Sequence, residues 1–361
     1  MSIENEMRKR ISLEGYISID DLMRTAMSAS SNAYYRSKQP LGPEADFITS
    51  PEISQMFGEM IGLWSISAWE RLGRPNPVNL IELGPGRGLL MRDLLRATKK
   101  VKEFHDALQI QMLEINSKLI EEQRDRLVGY QVSWISSVNQ ISHLPSIIIA
   151  NEFFDALPIR QYIKIKRDWH EVALVIDPDD GMLKFDKRPM MPRIFAGQVN
   201  LEHIKARDGA IVEESQESIE TMQFISDHIK NFSGAALIID YGYDISPSLR
   251  QDHQYMSTLQ AIKGHKFVPV LSSLGDADLS AHVDFYALTQ AAKTRMIKVS
   301  AIKSQGDFLK SWGIELRLKD LQDKNPELAE VLRRQVHRMI ADDTMGKLFK
   351  VMELYSRDWH C

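Results

Sequence analysis

The chain has almost no cysteine, and this absence removes several classes of site. Of its 361 residues only the last, Cys361, is a cysteine. One thiol cannot form an intrachain disulfide or supply the ligands of a cysteine-based zinc or iron–sulfur centre. The histidines show no metal-ligand spacing either, so we expect no metal site. A reducing compartment fits this composition.

A strong charge bias and long apolar runs are also missing. Lysine and arginine number 45 against 49 aspartates and glutamates, a formal net charge of -4, which gives no overall attraction to nucleic acid or anionic lipid. No segment approaches the ~18 apolar residues that a membrane helix requires. The first ten residues mix charges of both signs, unlike a secretory signal. We therefore expect a cytoplasmic protein with no nucleic-acid partner and no membrane insertion.

Internal repeats are absent too, so the architecture is read from the alternation of apolar runs with helical periods. Four short runs rich in Ile, Leu and Val predict buried strands: Val78–Glu82, Ile110–Glu114, Ile147–Ala150 and Ala235–Asp240. Helical segments lie between them. This alternation is typical of an α/β fold with a doubly wound parallel sheet.

Four further segments complete the predicted architecture. Between Ile159 and Ile176 apolar residues alternate with period two, which predicts an antiparallel hairpin inserted between strands of the sheet. A helix is predicted from an N-cap at Ser50 to Gly73. Near the end, Asn325 opens another helix, and Leu348–Leu354 predicts a last strand at the sheet edge.

The sharpest local pattern is a strand, a glycine turn and an amphipathic helix. The turn reads Glu82-Leu83-Gly84-Pro85-Gly86-Arg87-Gly88 and is followed by an apolar helical period. Such glycines let the backbone approach a ligand at the carboxyl end of a strand. The sixth position from Gly84 is Leu89, so a dinucleotide fingerprint lacks its third glycine, and no phosphate-loop lysine follows. The remaining pattern is similar to the first motif of S-adenosylmethionine-dependent methyltransferases; a purely structural turn is the alternative.

A carboxylate at the end of the next predicted strand supplies a second element. Glu114 is placed to accept two hydrogen bonds from the vicinal hydroxyls of a ribose. An acid that is merely solvated is the alternative, and the glycine turn favours the nucleoside role.

Several motifs together resemble the MidA-type methyltransferases, the bacterial and mitochondrial proteins related to a complex I assembly factor. The motifs that carry the resemblance are Pro40-Leu41-Gly42, Asp46 to Glu59, the glycine turn, Asn151 to Pro158, Asp240-Tyr241-Gly242-Tyr243, Thr258 to Ala261, His282 to Phe285 and Gln305 to Leu309. They are spread over nearly the whole chain. Three positions depart from the expected pattern, namely Ala45, the Asn116-Ser117 pair and Ser280.

The resemblance implies a class I methyltransferase (Rossmann-like) fold, S-adenosylmethionine as cofactor and a protein arginine as acceptor, in a complex I subunit. It implies four units: a helical N-terminal lead over 1–48, a first core part over 49–158, the antiparallel insertion over 159–205, and the rest of the core over 206–361. Residues carried over to the cofactor site are Glu82, Gly84, Gly86, Gly88, Glu114 and Asn151.

Two pairs of residues are the candidates for acid–base chemistry. A guanidinium arrives protonated, so carboxylates paired against it would fix its plane and receive its proton. Glu152 and Asp155, which follow a predicted strand, are ranked first for this role. His282 and Asp284 are two residues apart and therefore share one side of an extended segment, where they could form a proton-accepting pair near the acceptor.

Two other functions stay open at this point. A scaffold protein could keep this fold and bind a partner without catalysis, although the complete glycine turn and Glu114 argue for a working cofactor site. A nicotinamide oxidoreductase is disfavoured by Leu89.

Overall fold

Helices and strands alternate along the chain in this computed structural model, which describes residues 2–29, 49–189, 203 and 205–356. The helices are α1 Ile3–Glu14, α2 Ile19–Arg24, α3 Ser50–Ile53, α4 Gln55–Arg71, α5 Leu89–Thr98, α6 Lys102–Ala107, α7 Ser117–Arg126, α8 Gln216–Phe232, α9 Phe285–Thr294, α10 Gln305–Ser311, α11 Ile314–Lys324, α12 Ala329–Ile340 and α13 Met345–Leu348. A π-helical turn, Thr25–Ala29, follows α2, and short 3-10 helices occupy Val138–Gln140, Pro247–Leu249, Asp252–Gln254, Val270–Ser272 and Pro326–Leu328.

The strands build three sheets. They are β1 Ile17–Ser18, β2 Val78–Leu83, β3 Leu108–Leu113, β4 Val132–Ile135, β5 Ser146–Asn151, β6 Arg160–Ile165, β7 Asp168–Ile176, β8 Leu183–Pro189, β9 Ile211–Glu214, β10 Gly234–Tyr243, β11 Gln260–Lys263, β12 Lys266–Val268, β13 Asp278–Ser280, β14 Val283–Asp284, β15 Lys298–Val299, β16 Lys303–Ser304 and β17 Phe349–Tyr355. Cys361, Ala45 and the motif residues at 40–42 and 46–48 lie outside the described residues.

The central sheet has the strand order β15-β17-β10-β5-β2-β3-β4. Strands β10, β5, β2, β3 and β4 are parallel, and β17 runs antiparallel to β10. The four predicted strands are β2, β3, β5 and β10, so their prediction is confirmed. Every residue of β2 and β5 is buried, as strands covered on both faces require.

Helices cover both faces of the central sheet, which confirms the doubly wound arrangement. On one face Leu80 and Ile147 pack with Phe57 of α4 and Leu94 of α5. On the other face Ile81 and Ile148 pack with Ile225 of α8 and Leu288 of α9. Alternate residues of one strand thus serve opposite cores, because side chains alternate across a sheet.

The antiparallel insertion is present and larger than one hairpin. Strands β6, β7 and β8 are joined by β9, which lies beyond residue 205, and by β1 from the N-terminal segment. A small sheet of order β12-β11-β13 lies nearby. The buried faces of α1 and α2 pack on this region through Met7, Leu22, Leu174 and Leu279. The described part of the helical lead, residues 2–29, therefore shares a core with the insertion.

Two predicted elements differ in detail. The helix predicted from Ser50 is interrupted at Ser54, whose extended backbone (φ -159°) ends α3 and whose hydroxyl accepts a hydrogen bond from Met56 N to begin α4. Thr49, rather than Ser50, occupies the N-cap of α3. The last strand is not at the edge, because β15 and β16 pair with the outer side of β17.

The parallel register aligns the carboxyl ends of four neighbouring strands. Leu83 of β2 pairs with Leu113 of β3 and with Ala150 of β5, while Asn151 pairs with Ile239 of β10. The residues that follow these positions therefore meet at one edge of the sheet, which is where open α/β sheets bind ligands.

Candidate functional site

The glycine turn joins β2 to α5 with an unusual backbone. Gly84, Gly86 and Gly88 have φ values of 63°, 52° and 75°, in the left-handed region that favours glycine. Gly84 N donates to Leu113 O at 3.1 Å, which ties the turn to the end of β3. A side chain added at Gly84 would meet the Phe153 ring at 3.0 Å. Glycine at position 84 is thus required both by the backbone conformation and by the close approach of Phe153.

Glu114 is held at the end of β3 by its own backbone. Its Oε1 accepts hydrogen bonds from Ile115 N and Asn116 N, both at 2.8 Å. Burial raises its pKa, and these bonds oppose the rise. A carboxylate fixed in this way is suited to receive a pair of hydroxyl donors.

Gln123 connects this carboxylate to the glycine turn, a role that sequence reasoning missed. Its amide nitrogen donates to Gly86 O at 2.6 Å and lies 3.3 Å from Glu114 Oε2, while Trp134 donates to its amide oxygen at 2.7 Å. No local pattern marks this residue, since it lies mid-helix in α7 and its partners come from three other segments.

Glu82 lies one residue before the end of β2 and is buried. Burial raises its pKa to about 8, against an opposing hydrogen bond from the Met91 backbone. Its Oε2 has no hydrogen-bond partner among the described residues.

Glu152 directly follows β5 and adopts a left-handed backbone, with φ of 51°. Its main-chain N donates to Ile239 O at 2.9 Å, which holds this strained residue in place. Its Oε1 accepts from Ser50 N and Asn151 Nδ2, each at 3.1 Å. Burial, followed by the nearby Asp155, raises the Glu152 pKa to about 8.

Asp155 is also buried, and its pKa rises to about 6 because burial outweighs the hydrogen bond from the Tyr241 hydroxyl. Its main chain is fixed by Asp240, whose Oδ2 accepts from Phe154 N at 3.0 Å and from Asp155 N at 3.2 Å. Burial and the charges of Asp155 and Glu152 raise the Asp240 pKa well above its usual range.

Most of these side chains line one cavity of about 520 Å³, called the main cavity below. Its wall includes Met23, Met27, Glu52, Glu82, Gly84, Gly86, Glu114, Asn151, Glu152, Phe153, Asp155 and Asp278. Gly88 is absent from this wall; its left-handed backbone instead completes the turn and packs against Gln123. The structure thus brings together at one cavity Glu82, Gly84, Gly86, Glu114, Asn151, Glu152 and Asp155 from the sequence-predicted set.

Glu52 is a further wall residue that sequence reasoning missed. It lies in α3, and its side chain is 10% exposed. Its carboxylate lies 3.7 Å from an Arg87 nitrogen, beyond hydrogen-bond distance, and burial raises its pKa. In the sequence, an acid in the first turn of a helix indicates only a favourable interaction with the helix dipole. Glu52 lies at the cavity because the helix is interrupted at Ser54.

His282 and Asp284 line a second cavity of about 670 Å³, which shares Arg24, Pro158 and Glu217 with the main cavity. Asp284 accepts from Arg250 at 2.6 Å and from Ala287 N at 2.9 Å, so its carboxylate pairs with an arginine and caps α9. Burial lowers the His282 pKa. The structure therefore does not bring this pair to the main cavity, and their acid–base role stays a prediction.

Among the described residues, no group of three or more His, Cys, Asp or Glu side chains is arranged to hold a metal ion. No helix of that part combines the length and apolar character needed to cross a bilayer.

Comparison with known proteins connects this site to a family. The profile of Methyltransf_28, described as S-adenosyl-L-methionine-dependent methyltransferases, matches residues 60–302. The mitochondrial protein arginine methyltransferase NDUFAF7 of Danio rerio is 34% identical over 376 residues, covering 97% of this chain and 86% of that protein. The Homo sapiens protein of the same name is 31% identical over 372 residues, with 96% and 81% covered.

A solved structure has the same fold. The crystal structure of a COG1565 superfamily member from Burkholderia thailandensis, bound to S-adenosyl-homocysteine, superposes with a TM-score of 0.88 at 24% identity. It covers 99% of this chain and 92% of that one. The predicted class I methyltransferase fold is thereby confirmed.

Proposed function

Because this chain belongs to the Methyltransf_28 family of S-adenosyl-L-methionine-dependent methyltransferases, we propose that it methylates arginine residues of a protein substrate. Family membership establishes the cofactor and the class of reaction. The acceptor is the proposed part, and the relatives named protein arginine methyltransferases support it.

The observation that carries the proposal is a set of buried acceptor oxygens without donors in the main cavity. Glu82 Oε2, Glu152 Oε2 and Asn151 Oδ1 have no hydrogen-bond partner within the described part of the chain; the Glu52 oxygens have none either, but Glu52 Oε1 forms an ion pair with Arg87 at 3.7 Å. Buried polar atoms are nearly always paired, so such a set indicates a ligand that brings donors. The oxygens of Glu82 and Asn151 are left for the cofactor, whereas Glu152 Oε2, with Asp155 and Glu52 near it, fits a cation. A guanidinium offers five N–H donors in one plane.

The residues at the carboxyl ends of β2 and β3 fit the cofactor. The positive-φ glycines leave the turn free of side chains for a close approach, and Glu114 presents a backbone-anchored carboxylate to a ribose. Bound S-adenosylmethionine would supply a methyl group carried on a sulfonium cation. We assign Glu82, Gly84, Gly86, Glu114 and Asn151 to holding it, and Gly88 to shaping the turn behind them.

Glu152 and Asp155 would act on the acceptor. Their carboxylates would fix the guanidinium plane, hold its charge on the nitrogens that are not attacked and take up the released proton. With pKa values of about 8 and about 6, both acids change protonation near neutral pH, where proton transfer is most effective.

Calorimetric titration with S-adenosylmethionine, with NAD as the control, tests the cofactor site. We expect S-adenosylmethionine to bind and NAD not to bind. Transfer is tested with methyl-labelled cofactor and an arginine-containing peptide library, beside a library in which lysine replaces arginine. Label on arginine supports the proposal; label on lysine alone contradicts it. Cofactor binding with no label on either library would favour the scaffold function.

We further propose, on the resemblance to the complex I assembly factor family, that the acceptor is a subunit of respiratory complex I. We also propose that the chain acts in the cytoplasm. Mass spectrometry of complex I from cells with and without the gene tests the first: loss of one methylarginine supports it, and unchanged methylation contradicts it. Fractionation of the same cells tests the proposed location in the cytoplasm.

A further inference from the structure

The second cavity borders the main cavity and is the larger of the two, at about 670 Å³ against about 520 Å³. The two cavities share three wall residues, called the junction below: Arg24, Pro158 and Glu217. The segment that follows β5 also contributes to both walls, since Phe153 and Asp155 line the main cavity and Phe154 lines the second. The two cavities are therefore adjacent spaces on either side of one short segment.

The junction holds a guanidinium against a carboxylate. Arg24 of α2 donates to Glu217 Oε1 of α8 from Nε at 3.1 Å and from a terminal nitrogen at 2.5 Å. The side chains are 40% and 39% exposed, so this pair can be reached by a ligand. An arginine side chain from another polypeptide offers the same planar donors as Arg24, and Glu217 can bind it in the same way.

Every arginine in the wall of the second cavity is matched by a carboxylate. The pairs are Arg24 with Glu217, Arg160 with Asp20 and Arg250 with Asp284, at shortest distances of 2.5, 3.0 and 2.6 Å. Glu213 and Glu214 add two further carboxylates to the wall. Burial lowers the pKa of His203 to about 4 and also lowers that of His282, so these histidines add no positive charge at neutral pH. As far as the chain is described, this wall has no surplus of cations and favours a positively charged ligand over an anion.

One acceptor oxygen in the same wall has no donor. Asp20 lies one turn before Arg24 in α2, and its Oδ2 accepts from Arg160 Nε at 3.0 Å. Its Oδ1 is buried and has no hydrogen-bond partner among the described residues. Buried polar atoms are nearly always paired, so this oxygen indicates that a ligand brings the donor.

We infer that the second cavity binds the part of the acceptor polypeptide next to the methylated arginine, and that the arginine side chain passes Glu217 of the junction to reach Glu152 and Asp155. This inference rests on the proposed function and adds to it a site for the polypeptide. The main cavity must hold both the cofactor and the guanidinium, so the rest of the acceptor needs another surface. The second cavity supplies one, with a volume in the range that encloses a drug-sized ligand.

Calorimetric titration of the full chain, saturated with S-adenosyl-homocysteine, tests the inference with three probes. They are acetylarginine methylamide, the heptapeptide acetyl-Gly-Lys-Gly-Arg-Gly-Lys-Gly-amide, and the same heptapeptide with glutamate in place of lysine. We expect the lysine heptapeptide to bind at least roughly fivefold more tightly than acetylarginine methylamide, and the glutamate heptapeptide to lack this advantage. Equal affinity for the lysine heptapeptide and acetylarginine methylamide would overturn the inference, as would a glutamate heptapeptide that binds as tightly as the lysine one.

Ala287→Phe tests whether the added affinity comes from the second cavity. Ala287 of α9 lies in its wall, and the main-chain N–H that donates to Asp284 is kept in the variant. The larger side chain should remove the roughly fivefold advantage of the lysine heptapeptide and leave the binding of acetylarginine methylamide unchanged. Ala97→Phe, at an exposed position of α5, is the matched control and should alter neither affinity. An advantage that persists in Ala287→Phe would place the flanking residues elsewhere and overturn the inference.

A second measurement avoids the large substitution. In the full chain labelled with ¹³C-methyl alanine, the signal lost in Ala287→Ser identifies the Ala287 resonance. The lysine heptapeptide should shift this resonance, whereas acetylarginine methylamide should not, and the Ala97 resonance should stay in place with both probes. An Ala287 resonance that the heptapeptide leaves unmoved would overturn the inference.

The same probes separate the inference from the proposed function. Acetylarginine methylamide that fails to bind would count against the arginine site in the main cavity, while a heptapeptide that shifts the Ala287 resonance would still support the polypeptide site. Binding of acetylarginine methylamide together with an unmoved Ala287 resonance would retain the arginine site and overturn the polypeptide site.

Discussion

Burial sets the acid strength of the carboxylates around the main cavity. It raises the pKa of Glu82 and Glu152 to about 8 and that of Asp155 to about 6. Glu82 and Glu152 therefore hold protons at neutral pH in the absence of a ligand, whereas Asp155 is mostly ionised there. A bound cation lowers these pKa values again, so ligand binding and proton release are coupled.

Replacement of Gly86 by valine should strongly weaken the binding of the cofactor. Gly86 has φ of 52°, where a branched side chain is strained, and the new side chain would occupy the face that the cofactor approaches. We expect at least a roughly tenfold loss of S-adenosylmethionine affinity in calorimetry. Gly129→Val is the control, because Gly129 also has a positive φ (91°) but lies in open space. Unchanged affinity of the Gly86 variant would contradict the site.

Substitution of Glu152 by glutamine should separate binding from chemistry. The amide can keep one hydrogen bond but cannot take up a proton, so transfer should fall roughly 10²–10⁴-fold, while the affinity for S-adenosyl-homocysteine stays close to that of the native chain. Labelled-methyl transfer and calorimetry measure the two quantities. Glu121→Gln on the exposed side of α7 is the control. Equal losses of transfer and affinity would place Glu152 in the cofactor site instead.

Short breaks between elements bring site residues into place. The extended Ser54 lets α3 turn away from α4, so that Ser50 N reaches Glu152 and Glu52 reaches the main cavity. In the same way Asn116, where the family pattern has a different residue, begins α7 by accepting from Lys118 N at 2.9 Å. The departure from the family pattern thus keeps a helix cap beside Glu114.

Removal of that cap should cost stability and leave the ribose-binding geometry unchanged. Asn116→Ala loses the side-chain bonds to Lys118 N and Leu119 N but keeps its main-chain bond to Glu114. We expect the free energy of unfolding to drop by about 1 kcal/mol in denaturant titration, with unchanged cofactor affinity. Ser117→Ala, at an exposed neighbouring position, should change stability by less than about 0.5 kcal/mol. A variant as stable as the native chain would contradict the capping role.

The whole molecule should lose stability as pH rises in the absence of ligand. Glu82 and Glu152 have folded-state pKa values of about 8, above their usual value of 4.5, so the folded chain binds more protons than the unfolded chain between these values. Stability from this difference is complete below pH 4.5 and is lost as pH rises through 8. Thermal unfolding at pH 5.5 and pH 8.5 measures the loss.

A variant of both acids provides the comparison for that measurement. In Glu82→Gln combined with Glu152→Gln, the pH dependence of stability that these two acids cause should disappear. The melting temperature should therefore change less with pH than in the native chain. S-adenosylmethionine should also raise the melting temperature of the native chain more at pH 8.5, where the acids are ionised. A melting temperature that depends more steeply on pH in the double variant would contradict the raised pKa values of Glu82 and Glu152.

The fold and the cofactor end of the site were predictable because their signals are local. The runs that form β2, β3, β5 and β10, and the glycine turn between β2 and α5, are each recorded in a few consecutive residues. The carboxyl ends of parallel strands then meet at one edge as a matter of sheet geometry. For the same reason Glu114 and Glu152 could be named before their surroundings were known.

The class of fold, the cofactor turn and the acids that follow the strands are each encoded in short stretches of the chain. Which side chains meet depends on the tertiary packing. It placed Glu52 at the main cavity, Gln123 between the turn and Glu114, and His282 with Asp284 at a second cavity. The physical reason is that such contacts join residues far apart in the chain, whose side-chain directions depend on packing and on single breaks such as Ser54. No local pattern or periodicity records them.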